Sequence, residues 1–270
     1  MGTVVRPPAV AGFFYPSQPE TLLRDVRSYV EPAKERVRAV GCVAPHAGYM
    51  YSGHVAGAVY GRLDLPRRFV ILCPNHTGAG EPLAIMSSGA WKTPLGEARI
   101  DEDLAGRLLS GFSYLTEDAG AHRREHALEV QLPFLQALLP EFTFVPIAVG
   151  VGSYPALAAL GEALAVMLAG EKDPPLIIAS SDMNHYESDA VTRVKDHKAI
   201  ERILALDPRG LYEVVGREDI SMCGYGPTVA MLTAANKLGA TSAELVKYAT
   251  SGDISGDKDR VVGYAGVVVR

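Results

Sequence analysis

The sequence Val43-Ala-Pro-His46-Ala-Gly-Tyr49 directly follows an apolar run that begins at Val37. The run predicts a buried strand, and residues 52–63 further along predict a helix. His46 should therefore lie in the turn that joins a strand to a helix. In an open α/β sheet such a turn lies at the carboxyl edge, which is where ligands bind.

The same arrangement occurs twice more in the chain. Residues 69–73 are apolar and run into Pro-Asn-His at 74–76, and residues 176–179 run into Ser-Ser-Asp-Met-Asn-His at 180–185. Parallel strands that are buried on both faces read as continuous apolar runs, as these do. If the three strands are parallel neighbours, the polar side chains that follow them converge on one edge of the sheet. These side chains are His46, His76, Asp182 and His185.

Predicted strands and helices alternate through most of the chain, which favours a layered α/β sheet with helices on both faces. No internal repeat, low-complexity segment or linker interrupts residues 1–270, so we expect a single domain. Residues 17–20, Ser-Gln-Pro-Glu, have the spacing of a capping box at the start of a helix that runs to about Val30. Residues 89–96 around the only tryptophan predict a loop. Residues 125–139 predict one helix.

In that predicted helix His126 and Glu129 are three positions apart and share a face. Two interpretations remain open for this pair. It is either an ordinary surface pair, or a carboxylate that orients a functional histidine, as metal sites require.

Composition excludes several classes of protein. The chain is 48% hydrophobic and 21% charged, as in ordinary soluble globular proteins. A net charge of -5 without a basic cluster argues against nucleic acid as a partner. The sequence contains no apolar run near the roughly 20 residues that span a bilayer, and its N-terminus lacks the pattern of a signal peptide. We therefore expect a cytoplasmic protein that does not bind membranes.

Histidine is the commonest metal ligand in proteins and the usual general base near neutral pH. His46 and His76 each follow a strand and a proline, which favours a shared site. The Asp182–His185 pair is open to two interpretations, a helix-capping aspartate with a surface histidine or a functional pair. Structural roles are expected for the histidines elsewhere, namely His54, His122 and His197.

The three cysteines lack the short paired spacing of a disulfide framework or a zinc knuckle. Cys42 and Cys73 lie in or at the end of predicted strands and should be small core residues. Cys223 lies in a glycine-rich turn before a predicted helix at residues 228–238. A helix N-terminus lowers the pKa of a thiol, and the thiolate binds metal or attacks substrates. A buried turn cysteine is the alternative.

Several common catalytic patterns are missing from the sequence. It has no Gly-x-Gly-x-x-Gly after a strand, no phosphate loop, no Gly-x-Ser-x-Gly elbow and no His-Glu-x-x-His. Nucleotide binding and serine hydrolysis by those routes are therefore not expected.

Five motifs together resemble the Memo family, whose prokaryotic members are called AmmeMemoRadiSam system protein B. They occur in family order, and the resemblance covers about residues 5–269. The motifs are Ala44-Pro-His-Ala-Gly-Tyr49, Pro74-Asn-His76, Glu125-His-Ala-Leu-Glu129 with Leu132-Pro133, Ser180-Ser-Asp-Met-Asn-His185 and Cys223-Gly-Tyr-Gly-Pro227.

The family is similar in fold to the class III extradiol ring-cleaving dioxygenases. The resemblance implies an αβα sandwich with a central, mostly parallel or mixed sheet and one mononuclear metal ion, iron or copper with zinc as a further option. The metal-ligand positions fall on His46, His76 and Cys223. The pocket positions fall on Asp182, His185 and His126. A ring-cleaving dioxygenase uses two histidines and a carboxylate around iron, so the cysteine departs from that pattern.

Three functional hypotheses follow. The first is a metal-dependent oxidoreductase acting on an unidentified small molecule, in which His185 or His126 transfers protons and Asp182 orients a histidine or binds the metal. The second is a non-catalytic iron- or copper-binding protein. The resemblance implies a radical SAM protein and AmmeMemoRadiSam system protein A as its candidate partners. The third is a hydrolase with Cys223 as nucleophile.

Overall fold

The computed structural model describes residues 4–270, so the first three residues of the predicted extended N-terminal segment lie outside it. Within this range the chain forms twelve strands and ten α-helices. The strands are β1 (Val5–Arg6), β2 (Gly41–Ala44), β3 (Arg68–Pro74), β4 (Leu83–Ile85), β5 (Ala90–Thr93), β6 (Gly96–Ile100), β7 (Thr116–Glu117), β8 (Thr143–Val149), β9 (Leu176–Ser180), β10 (His185–Glu187), β11 (Ala243–Thr250) and β12 (Val261–Val269). The helices are α1 (Pro19–Tyr29), α2 (Tyr49–Arg62), α3 (Glu102–Gly111), α4 (Ala119–His122), α5 (Leu132–Leu138), α6 (Tyr154–Leu168), α7 (Asp189–Leu204), α8 (Pro208–Arg217), α9 (Tyr225–Lys237) and α10 (Ser251–Ser255).

All twelve strands join one mixed sheet, which confirms the predicted α/β class. The main order is β1-β5-β6-β8-β3-β9-β2-β12-β10, with β11 beside β12 and with β4 pairing both β7 and β8. At the centre β3, β9 and β2 are adjacent and parallel, as predicted from their apolar runs. Their residues are almost entirely buried, because helices such as α2 and α9 pack against this part of the sheet.

A buried carboxylate fastens the N-terminal segment to the rest of the protein. Glu129 is fully buried and accepts hydrogen bonds from the backbone N–H groups of Ala9 (2.7 Å) and Val10 (3.1 Å). It also accepts one from the Tyr15 hydroxyl (2.6 Å) and forms an ion pair with Arg6. The segment therefore lies in a fixed position beside the carboxyl edge of the sheet.

The Arg6 guanidinium, which pairs with Glu129, also has partners for its other nitrogens. It donates to the carbonyl oxygens of His122 and Glu125, each at 2.7 Å, and it lies 4.0 Å from the centroid of the Trp91 ring. Each of the three guanidinium nitrogens thus has a hydrogen-bond partner, as a buried charge requires.

Two local predictions outside the site are wrong. Helix α1 begins at Pro19 with Gln18 as N-cap, and no described residue forms a side-chain capping bond there, so residues 17–20 are not a capping box. A proline at the first helical position has no N–H group to satisfy. Residues 89–96 are not a loop but the start of a hairpin in which β5 and β6 pair, with Trp91 opposite Ala98. Pairing of this hairpin with the distant strands β1 and β8 stabilises it.

The predicted helix at residues 125–139 is also wrong in its first half. Helix α5 covers only Leu132–Leu138, with Pro133 in its first turn, and a short 3-10 turn at Glu129–Gln131 precedes it. Residues 125–128 are not helical. No helix within residues 4–270 combines the length and apolar character needed to cross a bilayer.

Replacing Arg6 by methionine should lower the free energy of unfolding by about 3–5 kcal/mol, because the Glu129 carboxylate would remain buried without its cation. Denaturant titration of the parent and the variant measures this difference. The exposed Arg99, changed to methionine, is the matched control and should stay within about 0.5 kcal/mol of the parent. A loss below about 1 kcal/mol for Arg6→Met would show that the pair does not hold the segment in place.

Candidate metal centre

His46 lies where β2 ends, beside the end of its parallel neighbour β9. Its side chain is buried, and its backbone N–H donates a 2.7 Å hydrogen bond to Oδ1 of Asp182, which follows β9. The two turns are thereby joined across the carboxyl edge of the sheet. This brings together two of the residues that the strand-end pattern predicted to meet.

The hydrogen bonds of Ser180 determine which ring nitrogen of His46 carries a proton. The Ser180 hydroxyl donates to the carbonyl oxygen of Ala127 (2.6 Å) and accepts from the side-chain amide of Gln131 (2.9 Å). His46 Nδ1 lies 3.0 Å from the same hydroxyl oxygen. Because the hydroxyl proton is already used, Nδ1 must donate in this contact. The neutral ring therefore has an unprotonated Nε2.

The protein also keeps the His46 ring neutral. Burial lowers its pKa well below the ordinary value of a histidine, and the nearby rings of His126, His76 and His185 add to the shift. A neutral imidazole with a free lone pair is the form that binds metal ions.

His76 follows β3 and is fixed by Glu125 in the same way. The fully buried Glu125 carboxylate accepts the backbone N–H of His76 (2.6 Å), and its other oxygen lies 3.0 Å from Nδ1 of the ring. That oxygen also accepts the N–H of Ala127 (2.9 Å). Burial acts to raise the pKa of Glu125, but the hydrogen bonds from His76 and Ala127 outweigh it and hold this pKa below its usual value. The ionised carboxylate makes Nδ1 the donor, so Nε2 of His76 is also free.

Cys223 reaches the same place because the residue after it has no side chain. A Cβ atom on Gly224 would lie 2.4 Å from both the carbonyl oxygen of Ser180 and Cβ of Ser181. The N–H of Gly224 donates to the Ser181 hydroxyl at 3.1 Å, which holds the start of α9 against the end of β9. In this position Cys223 Sγ is 3.1 Å from Nε2 of His46.

His46, His76 and Cys223 thus form one group, here called the His–His–Cys cluster. One donor atom from each residue lies within 4.8 Å of the other two. Around a tetrahedral ion, donors at ordinary metal–nitrogen and metal–sulfur distances are roughly 3.3–3.6 Å apart. Side-chain shifts on the order of 1 Å would therefore bring all three onto one ion, so the donor set fits a mononuclear metal.

Asp182 lies beside the cluster. Its Oδ2 is 3.9 Å from Nε2 of His46, and the carboxyl group is almost completely buried. Burial raises the pKa of Asp182 to about 7, although hydrogen bonds from the N–H groups of His46 and Ala47 act in the opposite direction. The group can therefore gain or lose a proton near neutral pH.

His126 and His185 line the pocket above the cluster. The His126 ring stacks on that of His76, with centroids 4.8 Å apart, and its Nδ1 is 3.5 Å from Glu125. His185 Nδ1 lies 2.9 Å from the carbonyl oxygen of Ser221, which can only accept, so Nδ1 donates and Nε2 is free. Burial lowers the pKa of both rings, which favours their neutral, proton-accepting form.

The predicted pairing of His126 with Glu129 is wrong. Glu129 binds the N-terminal segment instead, and the carboxylate beside His126 is that of Glu125. The reason is that residues 125–128 are not helical, so the two side chains do not share a face.

An open pocket of about 490 Å³ leads from solvent to the cluster. All six residues predicted for the site line it, so the strand-end pattern and the resemblance together point to one location. The lining residues are Phe14, His46, Ala47, Gly48, His76, His126, Asp182, His185, Tyr186, Ser221, Cys223 and Val262.

The other histidines and cysteines lie elsewhere. His122 is fully buried against Trp91, and His197 packs on Tyr248. Cys42 and Cys73 are buried in the core, as predicted.

Of the two interpretations of Cys223, the direction of its pKa shift favours the buried turn cysteine over a thiolate stabilised by the helix terminus. Burial, followed by the nearby carboxyl of Asp182, raises the pKa of the Cys223 thiol well above its ordinary value. Burial outweighs the hydrogen bond from the N–H of Gly224 at the helix start. A thiol with a raised pKa is a poor nucleophile in the absence of metal, which argues against the hydrolase hypothesis.

Sequence reasoning missed three residues that orient the cluster, namely Ser180, Gln131 and Glu125. Glu125 and Ser180 lie within recognised motifs, and Gln131 lies between Glu129 and Leu132 of one of them. Nothing in the local pattern, however, indicates that Glu125 would bind His76, 49 positions away, or that Ser180 would bind His46, 134 positions away. Nor does it indicate that Gln131 would donate to Ser180.

Comparison with known proteins shows which family the chain is similar to. A family model described as "Memo-like protein" matches residues 6–268. The chain is 45% identical to a MEMO1 family protein of Methanopyrus kandleri, over 98% of this chain and 99% of that one. It is 44% identical to a MEMO1 family protein of Methanosarcina barkeri, over 98% and 100%. An uncharacterized protein of Escherichia coli K12 has a similar fold, with a TM-score of 0.56 and 12% identity, over 86% of this chain and 100% of that one.

Replacing Glu125 by glutamine should lower metal affinity about 10–100-fold. The amide cannot accept from both the backbone and Nδ1 of His76, so the ring loses its fixed tautomer. Competition with a chromophoric chelator measures the affinity, and thermal unfolding of the metal-free protein shows whether the variant is folded. Exposed Glu141, changed to glutamine, is the matched control. Equal affinities for Glu125→Gln and the parent would refute the orienting role.

Metal affinity should rise roughly tenfold per pH unit between about pH 7.5 and 9. The raised pKa of Cys223 means that the free thiol is protonated in this range, so each bound ion displaces one proton. His46 contributes no proton because its pKa is lowered, and Asp182 titrates lower, near pH 7. Chelator competition at several pH values gives the slope. A Cys223→Ala variant should show little slope, and an equally steep slope in that variant would contradict the assignment.

Proposed function

The chain belongs to the Memo family, and we propose that it is an oxidoreductase that uses one metal ion held by His46, His76 and Cys223. The observation that supports this most strongly is the proximity of three donor atoms, all within 4.8 Å, at the base of an open pocket. Two of these donors are imidazole nitrogens whose opposite ring nitrogens are engaged by Ser180 and Glu125.

The chemistry of the donors narrows the choice of metal. Imidazole suits iron, copper and zinc, while thiolate selects copper(I), zinc and iron over the hard cations magnesium and calcium. Iron or copper would supply electron transfer to a small molecule bound in the pocket. Zinc has no redox chemistry and would not support the proposed activity.

The surrounding side chains supply binding and proton transfer. His126 and His185 are neutral and line the pocket above the cluster, so either can accept a proton from a bound molecule. Asp182 holds the backbone of His46 in place, and its pKa near 7 lets it exchange a proton close to neutral pH. The reacting group of the substrate would be surrounded by imidazole rings and would lie close to the buried Asp182.

A non-catalytic metal-binding role is the second candidate, and one observation favours it. The third donor is a cysteine, whereas a ring-cleaving dioxygenase uses a carboxylate, and a thiolate suits tight copper(I) binding without turnover. In that role the protein would act through partners, for which a radical SAM protein and AmmeMemoRadiSam system protein A are the candidates.

Anaerobic loading with iron(II) or copper(I), followed by elemental analysis and oxygen-uptake measurements with a panel of phenols and thiols, tests the proposal. The parent should bind one ion per chain and consume oxygen with at least one substrate. His46→Ala and Cys223→Ser should lose both properties, while His197→Ala, distant from the cluster, should keep them. A parent that binds metal without any oxygen uptake would support the non-catalytic role. Failure to bind either metal would overturn both.

A further inference from the structure

The mouth of the pocket has an aromatic wall that the His–His–Cys cluster does not require. Phe14 packs on the His126 ring with centroids 4.7 Å apart, and Tyr186 lies 5.7 Å from the His185 ring. Both aromatic rings line the pocket together with four imidazoles. Half of its twelve lining residues therefore carry flat rings, and small or apolar residues such as Ala47, Gly48 and Val262 account for several of the others.

Tyr186 is held in a backbone conformation that a tyrosine rarely adopts. Its φ angle is 62°, in the left-handed region that favours glycine. The residue is the extra one in a bulge, since His185 pairs with Val262 while Glu187 pairs with Val261. Bulges turn side chains toward functional sites, and strained residues persist where surrounding contacts hold them.

In this backbone conformation the Tyr186 ring is exposed to solvent and does not pack in the core. Tyr186 is 65% exposed, although a ring of this size is normally buried at least on one face. Phe14 is half-buried, and its carbonyl oxygen accepts the N–H of Tyr49 at the start of α2, which fixes its position. The two rings thus border the entrance on elements far apart in the chain.

A cation lies beside Tyr186. The guanidinium of the exposed Arg260 is 5.6 Å from the centroid of the Tyr186 ring. Among the lining residues that the structure describes, none carries an amino or guanidinium group, and Asp182 carries the one carboxyl group. Arg260 is therefore positioned to pair with a negative group on a molecule that rests on Tyr186.

We infer that this pocket receives a small, planar organic anion, whose flat part packs against Phe14 and Tyr186 and whose negative group pairs with Arg260. The inference rests on the proposed function in taking the pocket above the His–His–Cys cluster as the reaction chamber. A volume of about 490 Å³ accommodates a molecule of one or two rings. Stacking on a ring edge or face and pairing with a guanidinium are both directional, so together they would orient the ligand toward the cluster.

Three probes of similar size separate shape from charge. Benzoate is planar and anionic, cyclohexanecarboxylate is anionic but not planar, and benzamide is planar but neutral. Ligand-detected NMR titration of the metal-free and metal-loaded protein gives their dissociation constants. Benzoate should bind in the millimolar range or better, and each of the other two should bind at least about fivefold more weakly. Absence of benzoate binding up to about 10 mM, or equal affinity for all three probes, would overturn the inference.

Variants then test the named residues. Tyr186→Gly removes the ring and suits a φ of 62°, so a loss of binding cannot be attributed to new backbone strain. Tyr186→Gly and Arg260→Gln should each weaken benzoate binding at least about fivefold, whereas the exposed and distant Tyr114→Gly and Arg99→Gln should not. Unchanged benzoate affinity in both pocket variants would contradict the inference.

Metal content distinguishes this inference from the proposed function. Tyr186 and Arg260 are not among the donors of the cluster, so both variants should bind the same amount of metal as the parent. If the parent binds benzoate but no metal, the proposed function fails while the pocket's ligand class is supported. If it binds metal but benzoate affinity depends only on the metal and not on Tyr186 or Arg260, the inference fails and the proposed function is unaffected.

Discussion

Parallel pairing of β2, β9 and β3 is the constraint on which the site depends. The register places Ala44 opposite Ser180 and Leu72 opposite Ala179, so the three backbones leave the sheet at nearly the same level. Within the sheet both faces of these strands are covered, and a polar side chain there would lose its contacts with water. Polar side chains can be satisfied where the strands end, as Ser180 is, and in the turns just beyond, where His46, His76 and Asp182 lie. The site residues thus converge because the three strands are parallel neighbours that are buried on both faces.

The second determinant is the hydrogen bonding of the buried polar groups around the cluster. The side chains of Ser180, Gln131 and Glu125 are fully buried, and leaving any one without a partner would cost about 1–3 kcal/mol. The same bonds that avoid this cost assign the protons of the two histidines. In each ring Nδ1 is tied to the protein and Nε2 is free, so the protein itself selects the form of each histidine that is able to bind a metal. Stability and ligand orientation therefore have the same physical origin.

The sequence was sufficient to predict features that depend on burial alone. Continuous apolar runs identified the central strands, and the residues after them identified His46, His76, Asp182 and His185 as neighbours. The family resemblance was needed to add Cys223 and His126, because a glycine-rich turn and a short histidine motif do not by themselves indicate where they fold. That these residues bind a metal ion stays a prediction.

Features set by contacts between distant parts of the chain could not be predicted. Residues 125–128 have a helical pattern, but the Glu125 side chain binds His76, 49 positions earlier, and the segment does not form a helix. Trp91 appeared to lie in a loop because its strand is stabilised by β1 and β8 rather than by its own sequence. The bulge at Tyr186 likewise depends on its pairing with β12 and has no signal in local composition.

X-ray absorption spectroscopy of the iron- or copper-loaded protein is the most direct test of the central claim that His46, His76 and Cys223 bind one ion. The account predicts a first shell with one sulfur at about 2.3 Å and two imidazole nitrogens at about 2.0–2.1 Å, with the sulfur lost in Cys223→Ser. A shell made only of oxygen and nitrogen in the parent protein, or a sulfur signal that survives in Cys223→Ser, would contradict it.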